Sequence, residues 1–220
     1  MAIVWPCSLS VDAYAALGKT VEVPRPDCPG CARSMIFWSG YLRPVRVLGR
    51  CVRLFVRRAR CPTCVVTHAL LPAFVLVKRL DAVEVIGGVL ESVAGRRHGL
   101  RPAAASAGVP HETARGWWRR LRERAEEQTI SLAALATELG ATCRPGRGAA
   151  ATVAALEEAF VAASALPGWG ELGRWRFWSA ASGGGLLATN STSPYLVVGR
   201  RRFMPPVPFP DDTEDRTHGP

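Results

Sequence analysis

The hydrophobic pattern changes period along the chain. Val45-Arg46-Val47-Leu48 and Val52-Arg53-Leu54-Phe55-Val56-Arg57 partly alternate apolar with basic residues, as half-buried strands do. Gly40 and Gly49-Arg50 stand where chain reversals are expected. From residue 81 the spacing becomes helical: Val83, Ile86, Val89, Leu90 and Val93 share one face, and Gly95 stops the helix. Asp81 and Glu84 occupy the positions of a capping box, and Leu80 and Val85 those of a hydrophobic staple. A short second helix over 102–107, the turn Gly108-Val109-Pro110 and a third helix over 111–125 form a helix-turn-helix pattern. On a wheel of about 3.6 residues per turn, Ala114, Trp117, Trp118, Leu121 and Ala125 face inward, with Glu112, Arg115, Gly116 and Arg119 opposite.

Around this centre the signals are simpler. Residues 11–17 read as a short helix stopped by Gly18, and 21–23 as a short strand; together they form a leader that packs on the strands after it. Residues 67–75 read as an apolar connector broken by Pro72. Leu132, Leu135, Ala136 and Leu139 form one later helical stripe, and Val153, Leu156, Phe160 and Val161 another, joined by the linker 144–148. From Trp169 the chain is too rich in Gly and Pro for a second ordinary core. Its aromatic cluster (Trp169, Trp175, Phe177, Trp178) is expected to pack on the helical body. Arg200, Arg201 and Arg202 suit an arm entering a groove, residues 205–208 a proline-rich peptide, and the acidic end at 211–215 a disordered terminus. The expected class is α+β: a leader over 1–24, a small antiparallel β zinc ribbon over 25–78, an all-α helix-turn-helix domain over 79–128, a helical hairpin over 129–168 and an irregular tail over 169–220.

The cysteines give the first chemistry. Cys28-Pro29-Gly30-Cys31 and Cys61-Pro62-Thr63-Cys64 can place four thiolates around one tetrahedral Zn²⁺. Pro with Gly or Thr inside each pair favours the tight turn that aims both sulfurs at one ion. Chance pairing or disulfides are the alternatives, and strand-like sequence between the pairs favours zinc. Four thiolates leave no open coordination position, so the metal would be structural rather than catalytic. His68, just past Cys64, could replace a sulfur; with four available it is expected to pack or hydrogen-bond instead. Cys7, Cys51 and Cys143 are unpaired by spacing, residues 1–6 carry no secretory signal, and no apolar run is long enough to span a membrane. A reducing cytoplasm, beside the nucleoid, fits these features.

Charge then locates a partner. The formal net charge is +10, yet residues 28–80 hold ten Lys or Arg and no Asp or Glu, while the remaining 18 basic and 18 acidic residues cancel. A loaded four-thiolate site carries about −2 and absorbs part of this; the rest is a concentrated surface for a polyanion. The excess of Arg over Lys suits bidentate phosphate and guanine contacts, although a GC-rich genome produces the same bias. A solvated amphipathic helix is the plain reading of 111–125. Joined to the acid-free ribbon, it reads better as a recognition helix in a major groove. Arg115 and Arg119 would read guanine, His111 and Thr113 would hold a phosphate or add a base contact, and Arg120 and Arg122 would pair with phosphates. Glu112 and Gly116 share the reading face, and Arg53, Arg57, Arg58, Arg96 and Arg97 complete the expected DNA-contact set.

The order of parts resembles the amino-terminal region of bacterial insertion-sequence transposases. The residues that carry this are the two Cys-x-x-Cys pairs, the Arg60-Cys61-Pro62-Thr63-Cys64 return, the Thr67-His68-Ala69-Leu70-Leu71-Pro72 connector, a capped helix and Thr113-Ala114-Arg115-Gly116-Trp117. The chain is similar also to a family of stand-alone bacterial zinc-ribbon, helix-turn-helix proteins found in a mobile-element setting. The resemblance covers residues 25–126. It implies terminal-repeat or operator DNA as target, Cys28, Cys31, Cys61 and Cys64 as zinc ligands, and the third helix as reader. A transposase would next need a ribonuclease-H-like domain with separated carboxylates for two metal ions. Here the later acids Glu126, Glu127, Glu138, Glu157, Glu158 and Glu171 fall on expected helices or in the tail, and no Walker loop or HExxH occurs. The expectation is a non-enzymatic, zinc-containing, sequence-selective binder of double-stranded DNA, acting as a transposition accessory factor or transcriptional regulator. The alternatives are an adaptor for a recombinase, transposase or RNA polymerase, and the DNA-binding subunit of a transposase whose catalytic domain is on another chain. A homodimer through the helical hairpin would suit paired half-sites.

Overall fold

A four-stranded sheet and seven α-helices make up the residues described by the computed structural model, 2–184 with 186 and 187. The class is α+β, as the sequence pattern predicts. Residues 200–202, 205–208 and 211–215, singled out for their composition, lie outside the described residues. Strands β1 (Ala2–Trp5), β2 (Ile36–Val47), β3 (Arg50–Arg60) and β4 (Thr67–Pro72) lie in the order β1-β4-β3-β2. Strands β2 and β3 form a long hairpin whose turn residues, Leu48 and Gly49, both have positive φ, the geometry that matches a two-residue turn to strand twist.

Several expectations change here. The sheet is mixed rather than antiparallel, because β1 pairs parallel with β4. The leader thus supplies a strand, and the 67–75 connector is largely β4. Gly40 lies inside β2, opposite Arg57, and not at a reversal. Residues 21–23 have no strand partner.

Alternation explains why β1 and β4 pair. Val4 and Leu71 belong to the main core, whereas their neighbours Ile3 and Leu70 belong to a second, smaller one with Cys28, Met35, Ala59 and Cys61. Successive side chains of a strand point to opposite faces, so both faces of the sheet are buried at this end. One face carries the helical body and the other carries two of the cysteines. Helix α1 (Val11–Leu17) covers β3 beyond the reach of β4, and Tyr14 donates its hydroxyl to the Phe55 carbonyl.

Helix α2 (Val83–Ala94) starts from Ala82 without a side-chain cap, so the expected capping box is not formed. Its carboxylates are drawn into tertiary contacts. Asp81 is 3 % exposed and takes a bidentate pair from Arg46 of β2 at 2.5 and 2.9 Å, while Glu84 takes Arg176. Leu80 is exposed and staples nothing. Alongside this ion pair the backbone of Arg46 bonds to Leu80 and Ala82, so the segment entering α2 is zipped onto the outer edge of β2.

Helices α3 (Leu100–Ser106) and α4 (His111–Glu123) pack on α2 and on each other. Gly108, at φ 66°, ends α3 in a Schellman motif: its N–H reaches Ala105 O and that of Val109 reaches Ala104 O, both at 3.0 Å. The same glycine abuts the β2–β3 hairpin tip. A Cβ on Gly108 would lie 3.2 Å from the Gly49 nitrogen, a tight contact added to the strain of a positive φ, so glycine suits the place where turn and hairpin touch. Ala114, Trp117, Leu121 and Ala125 are buried and Trp118 half-buried, the inward face read from the sequence.

Helices α5 (Ala125–Glu138) and α6 (Gly148–Ser164) form the hairpin. The buried face of α6 is Ala149, Thr152, Ala155, Leu156, Ala159 and Ala163, and Val161 is exposed. Small residues bring the helices close enough for Thr152 to bond Thr129 at 2.9 Å. The expected irregular tail instead begins with helix α7 (Arg174–Ala181), whose Trp175, Phe177 and Trp178 are buried against the helices. Arg174 pairs with Glu91 at 2.5 Å and with Glu157, and Arg176 bonds the carbonyls of Cys7, Ser8 and Leu9. Large aromatic side chains outweighed the local glycine count.

Two adjacent glycines in α2 test this packing. A Cβ on Gly87 would meet the Trp175 ring at 2.1 Å, while one on Gly88 meets nothing within 4 Å. Gly88→Ala is expected to stabilise the protein by about 1 kcal/mol through helix propensity. Gly87→Ala is expected to destabilise it by about 1–3 kcal/mol through overpacking. Urea denaturation checks both, and equal effects would mean that α7 does not seat on α2.

Candidate metal centre and basic helix

Two turns of the same design hold the cysteines. In each, the first cysteine N–H bonds forward (Cys28 to Arg33 O, 2.8 Å; Cys61 to Val66 O, 2.9 Å) and its carbonyl accepts from the residue after the second cysteine (Ala32, 2.8 Å; Val65, 3.0 Å). Those two residues, Ala32 and Val65, are both left-handed, at φ 55° and 61°. A residue other than glycine rarely adopts this conformation, and the β-branched Val65 least readily, at a cost on the order of 1–3 kcal/mol. Finding it at equivalent places in both turns indicates a geometry imposed by what the turns hold.

They hold four sulfurs, Cys28, Cys31, Cys61 and Cys64, all within 4.8 Å of one another. Cys28 and Cys64 are 4.0 Å apart, Cys31 and Cys61 3.5 Å. A tetrahedron with Zn–S bonds of about 2.3 Å has edges of about 3.8 Å, so the set can hold a metal ion and is compatible with zinc. The sulfurs are too far apart for a disulfide, whose bond is about 2.05 Å. The Cys64 N–H donates to Cys61 Sγ at 3.3 Å and pulls that thiol down to about 6. Cys64 itself is pushed up to about 12, first by its contact with Cys31. The two neighbouring thiols are thus pushed in opposite directions by their mutual contacts. His68 is buried in β4, outside this set, and burial lowers its pKa.

Purified protein is expected to carry one zinc per chain, and Cys28→Ser or Cys61→Ser to lose it. Because the sulfurs must shed protons to bind, affinity should fall as pH drops. Zinc release to a chromophoric chelator, followed from about pH 8 to about pH 5, measures this. Zinc-free protein, or release that ignores pH, would count against a thiolate site.

The basic residues fall into distinct groups. On α4, Glu112, Arg115, Arg119 and Arg122 are exposed and His111, Thr113, Gly116 and Arg120 half-buried. Arg115 lies 3.5 Å from Glu112 and Arg119 3.7 Å from Glu123; such exposed pairs are worth little and release readily. Arg53 and Arg58 of β3 are exposed, but Arg57 is engaged, donating to Lys19 O at 2.6 Å. In the α2–α3 turn Arg96 is exposed, whereas Arg97 pairs with Glu91 at 2.8 Å.

A cluster that patterning alone did not single out lies between sheet and helices. Arg43 of β2 donates to the carbonyls of Leu76 and Arg79 at 2.7 and 2.8 Å. Arg79 has its pKa lowered by burial and then by the charge of Arg120. Arg43 and Arg79 are thus both tied to backbone carbonyls here, Arg79 donating to Leu187 O at 2.7 Å, with the charge of Arg120 acting on Arg79. The acid-free run over 28–80 was the sole hint of this.

Residues 28–106 match the sequence model of a domain of unknown function (DUF6431), which spans the cysteines, the sheet from β2 onward, α2 and α3. No curated protein and no solved structure matches the chain.

Proposed function

We propose that this chain is a zinc-containing, sequence-selective double-stranded DNA-binding protein, a zinc ribbon fixed to a helix-turn-helix. It acts as a transposition accessory factor or a transcriptional regulator. The observation that carries the reading is the outer face of α4. Its inner residues are sealed against α2 and α3, and its outer residues Arg115, Arg119 and Arg122 stand clear of the core. An exposed basic helix following a Gly-containing turn is the form that enters a major groove. Pro110 at its start provides no side-chain cap, which leaves the first backbone N–H groups to a phosphate. The hairpin tip against Gly108 holds the cysteine-bearing sheet beside this helix, so Arg53 can pair with a flanking phosphate while α4 reads bases.

Selection of bound sequences from random duplex DNA, with and without a zinc chelator, tests the reading directly. A common motif should emerge only with the metal in place. Arg115→Ala is expected to relax one base position by about 1–3 kcal/mol, and Arg53→Ala to weaken all sequences alike and flatten the salt slope by about one. No enrichment, or binding that ignores salt, would reject duplex readout in favour of a protein-docking role.

A further inference from the structure

Strand β2 exposes apolar side chains that a strand ordinarily hides. Trp38 is 58 % exposed and Tyr41 40 %, with Ile36, Phe37 and Leu42 also in solvent. Guanidiniums are interleaved with these rings. Arg60 lies 4.7 Å from the Trp38 centroid and Arg57 5.1 Å from that of Phe37. Register sets Ile36 opposite Arg60, Ser39 opposite Arg58 and Tyr41 opposite Val56, so Tyr41, Arg58 and Arg60 share a face. Strands β2, β3 and β4 carry no acidic residue.

Such a surface could take a partner strand along its edge or a ligand on its face. The edge is blunted. Pro44 lacks an N–H, the ladder slips between Phe37 and Ser39, and Arg46 already bonds Leu80 and Ala82 through its backbone. These are features that discourage strand addition. The face instead offers rings for stacking and guanidiniums for phosphates. A ring with a cation on one side is held in orientation and keeps its other side for a flat partner. In a duplex the base faces are stacked on one another, and only unpaired bases can use such rings.

We propose that the outer end of the β2–β3 ladder binds an unpaired nucleic-acid strand, with bases stacking on Trp38 and Tyr41 and phosphates on Arg58 and Arg60. The site is separate from the duplex-reading face of α4 and does not depend on it. Arg43, next but one to Tyr41, donates to the Arg79 carbonyl, and the Arg79 side chain feels the charge of Arg120 on α4.

The test uses the zinc-loaded full chain and a labelled oligothymidylate of about 20 nucleotides, with an oligouridylate arm, read by anisotropy and tryptophan fluorescence. Binding with quenching is expected. Trp38→Ala should lower affinity by about tenfold or more and abolish most of the quench, leaving duplex affinity unchanged. Arg115→Ala should do the reverse, so failure of one site is distinguishable from failure of the other. A preference for either oligomer assigns the strand as DNA or RNA, and binding of neither overturns the proposal. So does Trp38→Ala binding like the parent, or converting a dimer to monomer in sedimentation without touching oligomer affinity. Because Trp38 is mostly in solvent, its removal leaves the core intact.

Discussion

Four sulfurs within 4.8 Å of one another are the constraint around which this chain is arranged. Neutral thiols would gain little from such crowding, and thiolates would repel. The geometry makes sense as a cage for one cation, and the paired left-handed residues Ala32 and Val65 are the conformational cost of closing it. The cage also orders β2 and β3, because one turn leads through Met35 into β2 and the other closes β3. With Ile3, Met35, Ala59 and Leu70 packed beside the sulfurs, the cysteine end of the sheet has a core of its own.

The sheet as a whole is not an independent module. Val45, Leu54 and Val56 of the sheet share the main core with Ala104, Val109, Ala114 and Leu121 of the helices. Arg46–Asp81 zips the entry to α2 onto β2, and Gly49 meets Gly108. Breaking the ion pair from one side would strand a buried charge, worth about 3–5 kcal/mol. Order at the cysteines is therefore transmitted to the turn preceding α4 by packed contacts rather than by a flexible linker. In physical terms, a metal placed far along the sequence from α4 can still fix how that helix is presented.

Much of this was legible from local pattern. The cysteine spacing gave the cage, period-two alternation gave the hairpin core, and helical spacing gave α2, α4 and the inward face of α4. What was missed depends on partners distant in sequence. Residues 2–5 are too few to announce a strand, and only Leu70 and Leu71 of β4 give Ile3 and Val4 two faces to fill. Asp81 and Glu84 match a capping box by spacing, but Arg46 and Arg176 compete for them with stronger charge-assisted bonds. Glycine content made the region from Trp169 look irregular, whereas the free energy lies in three large rings that find a groove between helices already in place.

The same competition redraws the charge map. A count over residues 28–80 suggests a uniformly basic sheet, yet the fold uses several of those arginines internally. Arg46 is neutralised by the buried Asp81, Arg50 makes only an exposed pair with Asp12, and Arg43 and Arg57 are occupied by backbone carbonyls. The positive potential left for a partner is narrower than the composition implies, lying on Arg53 and Arg58, around Trp38 with Arg60, and along α4. A polyanion would thus meet localised faces of differing chemistry rather than a diffuse basic surface. Guanidiniums flanked by rings favour exposed bases, and guanidiniums on a bare helix favour base edges in a groove. Under the proposed nucleic-acid function, selectivity between strand forms would be set by which aromatic side chains the fold leaves uncovered, more than by how many arginines the sequence contains.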